Sequence, residues 1–209
     1  MKRFYKDVAV VRGEIRLDQR LVKTPARNPL TLPGERLAQA VAAEWQAQGE
    51  RVDPRTMPLT GLANAAIDRV APDQEAFAAG LARYGESDLL CYRAEGPARL
   101  VERQAAIWDP LLAWARHRYD IDFEVACGVM HRPQARAALD RLSHAVRARS
   151  AFELAGLSPL VTISGSLIIG LALAEGAISV DEAWAAAALD EHWQAEQWGE
   201  DAEAAQALA

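Results

Sequence analysis

Four histidines, two cysteines, two serines in an apolar run and two adjacent carboxylate pairs are the residues here that could do chemistry. His117, His131, His144 and His192 are scattered at no paired ligand spacing, and Glu191-His192 lacks the second histidine of a His-Glu-x-x-His zinc motif. Cys91 and Cys127 have neither metal-like nor redox-like spacing, so no metal site and no disulfide framework is expected. Ser164 and Ser166, within Ile163-Ser164-Gly165-Ser166, are the nearest candidates for a serine nucleophile. The Gly-x-Ser-x-Gly frame is missing, however, and the run reads as apolar helix where a nucleophile needs a strand-to-helix elbow. A small hydrolase or transferase using Ser164 or Ser166 is therefore the enzymatic alternative. Asp190-Glu191 and Glu200-Asp201 are adjacent pairs, and neighbours on a helix point about 100° apart, so neither pair faces one substrate. No Walker A loop and no Gly-x-Gly-x-x-Gly is present. No catalytic residue, cofactor, metal or small-molecule substrate is expected.

What remains is a surface suited to a partner. Trp184, Glu191 and Trp198 are seven residues apart, which places them along one helical stripe with Ala187 and Gln194 between, while Trp193 points elsewhere. Burying all three tryptophans would bury Glu191 with them, at a cost unless it is paired. Two roles stay open: an ion pair with a core-lining arginine of this chain, such as Arg83 or Arg93, or contact with a partner, where Trp is a typical anchor. Residues 180–209 hold eight acids and no Lys or Arg, whereas the rest of the chain, with 23 basic and 21 acidic residues, is nearly balanced within the net charge of −6. Such a segment argues against nucleic acid, whose phosphates need clustered basic residues.

The elements that must position this stripe read as strands first and helices after. Residues 8–11 and 14–17 are β-prone around Arg12-Gly13, and residues 20–24 follow a two-residue turn at Asp18-Gln19, although Gln19 suits a positive φ poorly. Leu30-Thr31-Leu32 adds one more short strand. So small a sheet needs a cover, supplied by a helix with Leu37, Ala40, Val41 and Trp45 on one side. Helical spacing continues through residues 59–70, then after Asp73, along Leu100, Gln104, Ile107 and Trp108, and from Pro133 onward. Asp109-Pro110 should interrupt the fourth of these helices and cap a fifth. Residues 154–174 are uncharged over a span-like length, but Ser158-Pro159 should break the helix early, Gly165 and Gly170 weaken it further, and no flanking Lys/Arg cluster or aromatic belt is present. A helix buried on all sides is expected instead, with Ser166 and Gly170 letting a neighbour approach. Ser179-Val180-Asp181-Glu182 fits a capping box, opening a last helix to about residue 205. The fold class is thus α+β: a small N-terminal antiparallel β domain with a helix, residues 1–56, then a larger all-helical domain, residues 57–209. The first residues show no apolar signal core, and a cytoplasmic location without membrane insertion is expected.

Several segments resemble one family, the ATP synthase assembly chaperones that act on the alpha subunit. They are LDQRLVKTPARNPLTLP (17–33), LAQAVAAEWQAQ (37–48), MPLTGLANAAIDRV (57–70), ESDLLCYRAEGPARLVERQAAIWDPLLAWA (86–115) and LDEHWQAEQWGEDAEA (189–204). The resemblance implies a small β-rich domain joined to a helical one, no enzymatic activity, no bound nucleotide, and unassembled alpha subunit as partner. Mitochondrial members carry an import presequence, and its absence suggests a bacterial homologue. The family's C-terminal motif maps onto Leu189, Asp190, Glu191, Trp193, Gln194, Trp198, Gly199 and Glu200. Of these, Asp190, Glu191, Gln194, Trp198, Gly199 and Glu200 are implied to bind the client. Asp190 stands where Glu is usual, Trp193 is larger than the usual Phe or Tyr, and Gln19 replaces a usual Gly, so which carboxylate touches the client stays open.

Overall fold

The computed structural model describes residues 2–128 and 130–198. Val8–Val11 (β1), Glu14–Leu17 (β2) and Arg20–Leu21 (β3) form an antiparallel sheet in the order β1-β2-β3. Its register pairs Val10 with Ile15 and Val8 with Leu17, which turns these four toward one core. The first hairpin places both Arg12 (φ 53°) and Gly13 (φ 82°) at positive φ, as a type I′ turn requires. Gly13 also has no room for a side chain, since a Cβ would lie 2.6 Å from the Leu32 carbonyl oxygen. The second hairpin holds Asp18 and Gln19 at φ 46° and 69°. Its misfit glutamine is tolerated because the Asp18 carboxylate accepts the backbone N–H groups of Lys6 (3.0 Å) and Asp7 (2.9 Å). Those bonds also hold the Asp18 carboxyl below its ordinary range. Leu30-Thr31-Leu32 makes only isolated bridges, not the expected strand: Leu30 N–H donates to Val22 O and Leu32 N–H to Gly13 O, while both leucines are buried.

Helix α1 (Glu35–Gln46) covers the sheet with Ala38, Val41 and Ala42 buried and Leu37 and Trp45 partly so. Its Glu44 accepts the N–H groups of Leu59 (2.7 Å) and Thr60 (2.8 Å), capping the first turn of α2 (Pro58–Ala65) with a negative charge. A π-helical turn, Ala66–Val70, follows. Its Asp68 clasps the loop after β3, accepting from Thr24 Oγ1 (2.6 Å), Ala26 N–H (2.9 Å) and Asn28 Nδ2 (2.9 Å). These polar ties explain why, by Cα proximity, residues 57–77 group with the sheet. One compact unit comprises the described residues of 1–77 and 149–156, the other those of 78–148 and 157–198. A domain boundary after residue 56 is a proposal about independent folding, which limited proteolysis would test.

The rest of the described chain is mostly helical. A 3₁₀ turn, Ala71–Asp73, leads into α3 (Gln74–Ala82), and Asp73 accepts the Ala76 N–H as its expected capping role implies. Tyr92–Arg93 (β4) and Ala126–Cys127 (β5) form a two-residue parallel pair that the sequence pattern did not signal. Helix α4 runs unbroken from Ala98 to Tyr119, contrary to the interruption expected at Asp109-Pro110. Its buried stripe is Gln104, Trp108, Leu111, Leu112 and Ala115, at helical spacing. Pro110 lies on the opposite, exposed side, as does Ala106, whose carbonyl loses its helical donor. That carbonyl faces water, so the missing hydrogen bond costs little there and burial of the stripe outweighs it.

Helices α5 (Arg136–Arg147), α6 (Ala151–Ser164), α7 (Leu167–Ala174), α8 (Val180–Ala187) and α9 (Leu189–Trp198) complete the α+β fold. The helix break expected at Ser158-Pro159 is not there, and residues 154–174 fall on two helices divided further along. Pro159 sits inside α6, and the break comes later, at Gly165 (φ 66°) and Ser166, which caps α7 by accepting the Ile169 N–H (3.0 Å). Among the described residues no helix is long and apolar enough to cross a membrane. Gly170 does admit a close neighbour, as its spacing implied: a Cβ there would meet Val161 Cγ2 at 2.7 Å and Leu157 Cδ1 at 3.2 Å, both on α6. Gly170→Val is expected to force α6 and α7 apart and cost about 1–3 kcal/mol, measured by urea denaturation. An unchanged midpoint would mean that the two helices can separate freely.

Candidate functional site

The helices that carry the acidic stripe are positioned by polar groups buried beneath them. Asp88 has no solvent exposure and accepts Ser166 Oγ–H (2.7 Å), Ile168 N–H (3.1 Å) and Leu90 N–H (3.1 Å). It thereby ties the turn before β4 to the positive N-terminal end of α7. Burial pushes its carboxyl up to about 6, and the hydrogen bonds only partly offset this. Because the folded-state pKa lies above the ordinary carboxylate value, the folded protein holds this proton in a range where the unfolded chain has lost it. Asp88 then favours folding below about pH 4, and this contribution fades as pH rises through 6. The stability difference between wild type and Asp88→Asn should therefore shift by about 2 kcal/mol between pH 4 and pH 7. Parallel pH profiles in denaturant titrations would show that Asp88 is not the titrating group.

From Leu90 the network passes to Arg93, whose Nε donates to the Leu90 carbonyl (2.9 Å) and whose guanidinium pairs with Asp109 (2.8 Å). The same guanidinium lies 5.2 Å from the ring of Trp108, a cation–π contact. Trp108 is wholly buried, and its indole N–H donates to the carbonyl of Ala186 on α8 (2.9 Å). One turn earlier on α4, buried Gln104 accepts the Ala94 N–H through Oε1 (2.9 Å) and donates through Nε2 to Asp190 Oδ1 (2.8 Å). Arg103 pairs with both oxygens of Glu196 at 2.8 Å. Three side chains of α4 thus hold α8 and α9.

This docking changes the expected single last helix. The capping box at its start is present: Glu182 accepts the Ser179 N–H (2.7 Å) and Ser179 Oγ accepts the Glu182 N–H (3.2 Å). The helix then breaks at Ala188 (φ −97°, ψ 20°), so Trp184 lies on α8 and Glu191 on α9. The Trp108 indole takes a carbonyl of the ladder just before the break, and Leu189 and Ala188 are drawn into the core, which together account for the irregularity.

The implied client-binding residues part ways accordingly. Asp190 is half-buried and bonded to Gln104. Glu191 is exposed, and its side chain makes no ion pair or hydrogen bond among the described residues. The ion pair with Arg83 or Arg93 considered for Glu191 is not formed; Arg93 serves Asp109 instead. Gln194 is exposed beside Glu191, whereas Trp193 is half-buried. Trp198 ends α9, and its side chain lies outside the described residues, as do Gly199 and Glu200 entirely. Gln104, Arg103 and Trp108 escaped sequence reasoning as positioning groups. The signal for one was present, a glutamine in an otherwise apolar helical stripe.

Other chemistry finds little footing. Ser166 has no exposure and its hydroxyl is committed to Asp88 and the α7 cap, while Ser164 Oγ donates to Leu160 O (2.6 Å) within α6. Cys91 is buried and its thiol is pushed up to about 12, chiefly by burial, and Cys127 is exposed and free. Among the described residues no three His, Cys, Asp or Glu side chains gather in a metal-binding group.

Over nearly its whole length the chain is similar to solved structures of one chaperone class. Atp12 from Paracoccus denitrificans is 44% identical, with a TM-score of 0.93 over 99% of this chain and 90% of that one. An Asp-to-Lys mutant of the P. denitrificans Atp12p matches at 44% identity and a TM-score of 0.94, with the same coverage. A candidate chaperone from Agrobacterium tumefaciens is 45% identical, with a TM-score of 0.92 over 98% of this chain and 79% of that one. The chain belongs to the ATP12 chaperone protein family, whose model matches residues 2–116.

Proposed function

We propose that this protein is a non-enzymatic chaperone of ATP synthase assembly that holds the unassembled alpha subunit in the cytoplasm and keeps it from aggregating until the catalytic head is built. Membership of the ATP12 chaperone family supports the class of activity. The observation that carries the contact surface is the free, exposed carboxylate of Glu191 beside the anchored Asp190. In this reading Glu191 and Gln194 meet the client directly, Trp198, Gly199 and Glu200 also take part in client binding, and Asp190 orients α9 through Gln104.

The test is a pull-down of separately expressed alpha and beta subunits on the immobilised protein, with soluble yield of alpha measured in co-expression. Retention of alpha over beta, together with a rise in soluble alpha, is expected. Preference for beta would overturn the client assignment, and permanent presence in purified ATP synthase would make the protein a structural subunit instead.

A further inference from the structure

Large apolar side chains are exposed at few places among the described residues, and two of them lie one turn apart on α8: Val180 at 69% and Trp184 at 39% exposure. Glu191 follows on α9 and is also exposed, and helical hydrogen bonding resumes past the break, from the Ala188 N–H to the Trp184 carbonyl and from the His192 N–H to the Ala188 carbonyl. Val180, Trp184 and Glu191 lie on the solvent-exposed flank of these two helices, whereas Ala183, Ala186, Ala188 and Leu189 are buried.

We infer that this flank is one continuous docking strip, whose occupant is a client segment presenting an apolar side chain flanked by Lys or Arg. The inference rests on the client reading above and adds α8 to it. Trp184 and Val180 supply the apolar contact, with Trp as the anchor. Exposed Asp181 and Glu191 set the sign of the partner, because residues 180–198 contain no Lys or Arg to compensate them. Glu196 belongs to Arg103 and is already neutralised. A second copy of this chain is a poor occupant, since a two-fold contact would set the same carboxylates against each other. An anionic membrane surface is repelled for the same reason.

Binding of purified alpha subunit to the full chain tests the strip, using Val180→Asp, Trp184→Ala and, as a control, Met130→Asp. Met130 is 76% exposed but lies outside α8 and α9. Val180→Asp is the cleaner variant, because an acid at the first helical position leaves α8 well capped. It and Trp184→Ala should each weaken binding about tenfold or more, with Met130→Asp unchanged, and wild-type affinity should fall as salt rises from 50 to 500 mM. If wild type binds alpha and both α8 variants bind equally well, the strip is wrong while the client reading survives. A salt-independent affinity would overturn the basic character of the occupant. Failure of wild type to bind alpha at all would remove the client and this occupant together.

Discussion

Trp108→Ala should cost about 3–5 kcal/mol of folding stability, a large part of what a domain of this size possesses. The ring is wholly buried, so its loss leaves a cavity among the buried residues of α4 that the neighbouring helices can fill only by shifting. Two further losses follow from contacts particular to this residue. The Ala186 carbonyl loses its indole donor, and the Arg93 guanidinium loses the ring face beside it. Thermal unfolding should drop by about 10 °C or more. Trp108→Phe narrows the contributions, because it keeps a six-membered aromatic ring and removes the N–H together with only two ring carbons. Its cost should be nearer 1–2 kcal/mol, with faster amide exchange concentrated around the α8–α9 junction. Stability within about 1 kcal/mol of wild type for the alanine variant would show that α8 and α9 do not depend on this side chain.

Asp190 and Glu191 are expected to respond in opposite ways although they are neighbours in sequence. Asp190→Ala strands the Nε2 group of Gln104, a residue only 1% exposed, and an unpaired buried donor costs about 1–3 kcal/mol. Glu191→Lys changes an exposed residue without a partner among the described residues, and its stability should stay within about 0.5 kcal/mol of wild type. Client holding should separate them the other way. Glu191→Lys reverses the charge offered to the client and should weaken alpha-subunit binding about tenfold or more, roughly 1.4 kcal/mol. Denaturant midpoints and binding measured on the same two variants decide the matter. Were Glu191→Lys to hold client normally while a still-folded Asp190 variant failed, the contact would belong to Asp190.

This division of labour could not be read from the chain. Heptad spacing favoured Glu191 as the centre of a stripe, and Glu191 is indeed the exposed acid, but the stripe assumed one straight helix through residue 188. The break there depends on an indole 78 residues away in sequence. Likewise the arginine considered as a partner for Glu191 is occupied by Asp109, a choice that depends on how β4 meets α4. Asp88, in the middle of a resembling segment, carried no local sign of complete burial, because its partners Ser166 and Ile168 come from a distant turn.

Local chemistry did determine much. The β1-β2 hairpin, the cover helix α1, the capping box of α8 and the tight approach at Gly170 follow from properties that act within a few residues: positive φ, helical periodicity, reciprocal capping and the absence of a Cβ. Composition and spacing also withheld any cheap reason to expect catalysis or a metal, and the order of the segments pointed to the family that the chain belongs to. Tertiary structure decided the points where long-range burial competes with a local rule. Pro110 stayed inside α4 because the Ala106 carbonyl it leaves without a donor is on the exposed side, while Trp108 and Leu112 bury the other. Residues 154–174 split at Gly165 because Ser166 could cap α7 and bond Asp88 at once. The paired acids took separate roles because Gln104, buried on α4, needed an acceptor and Asp190 was the one within reach. Propensity acts over one turn of helix, whereas an unpaired polar group in the core must find its partner wherever the fold brings one.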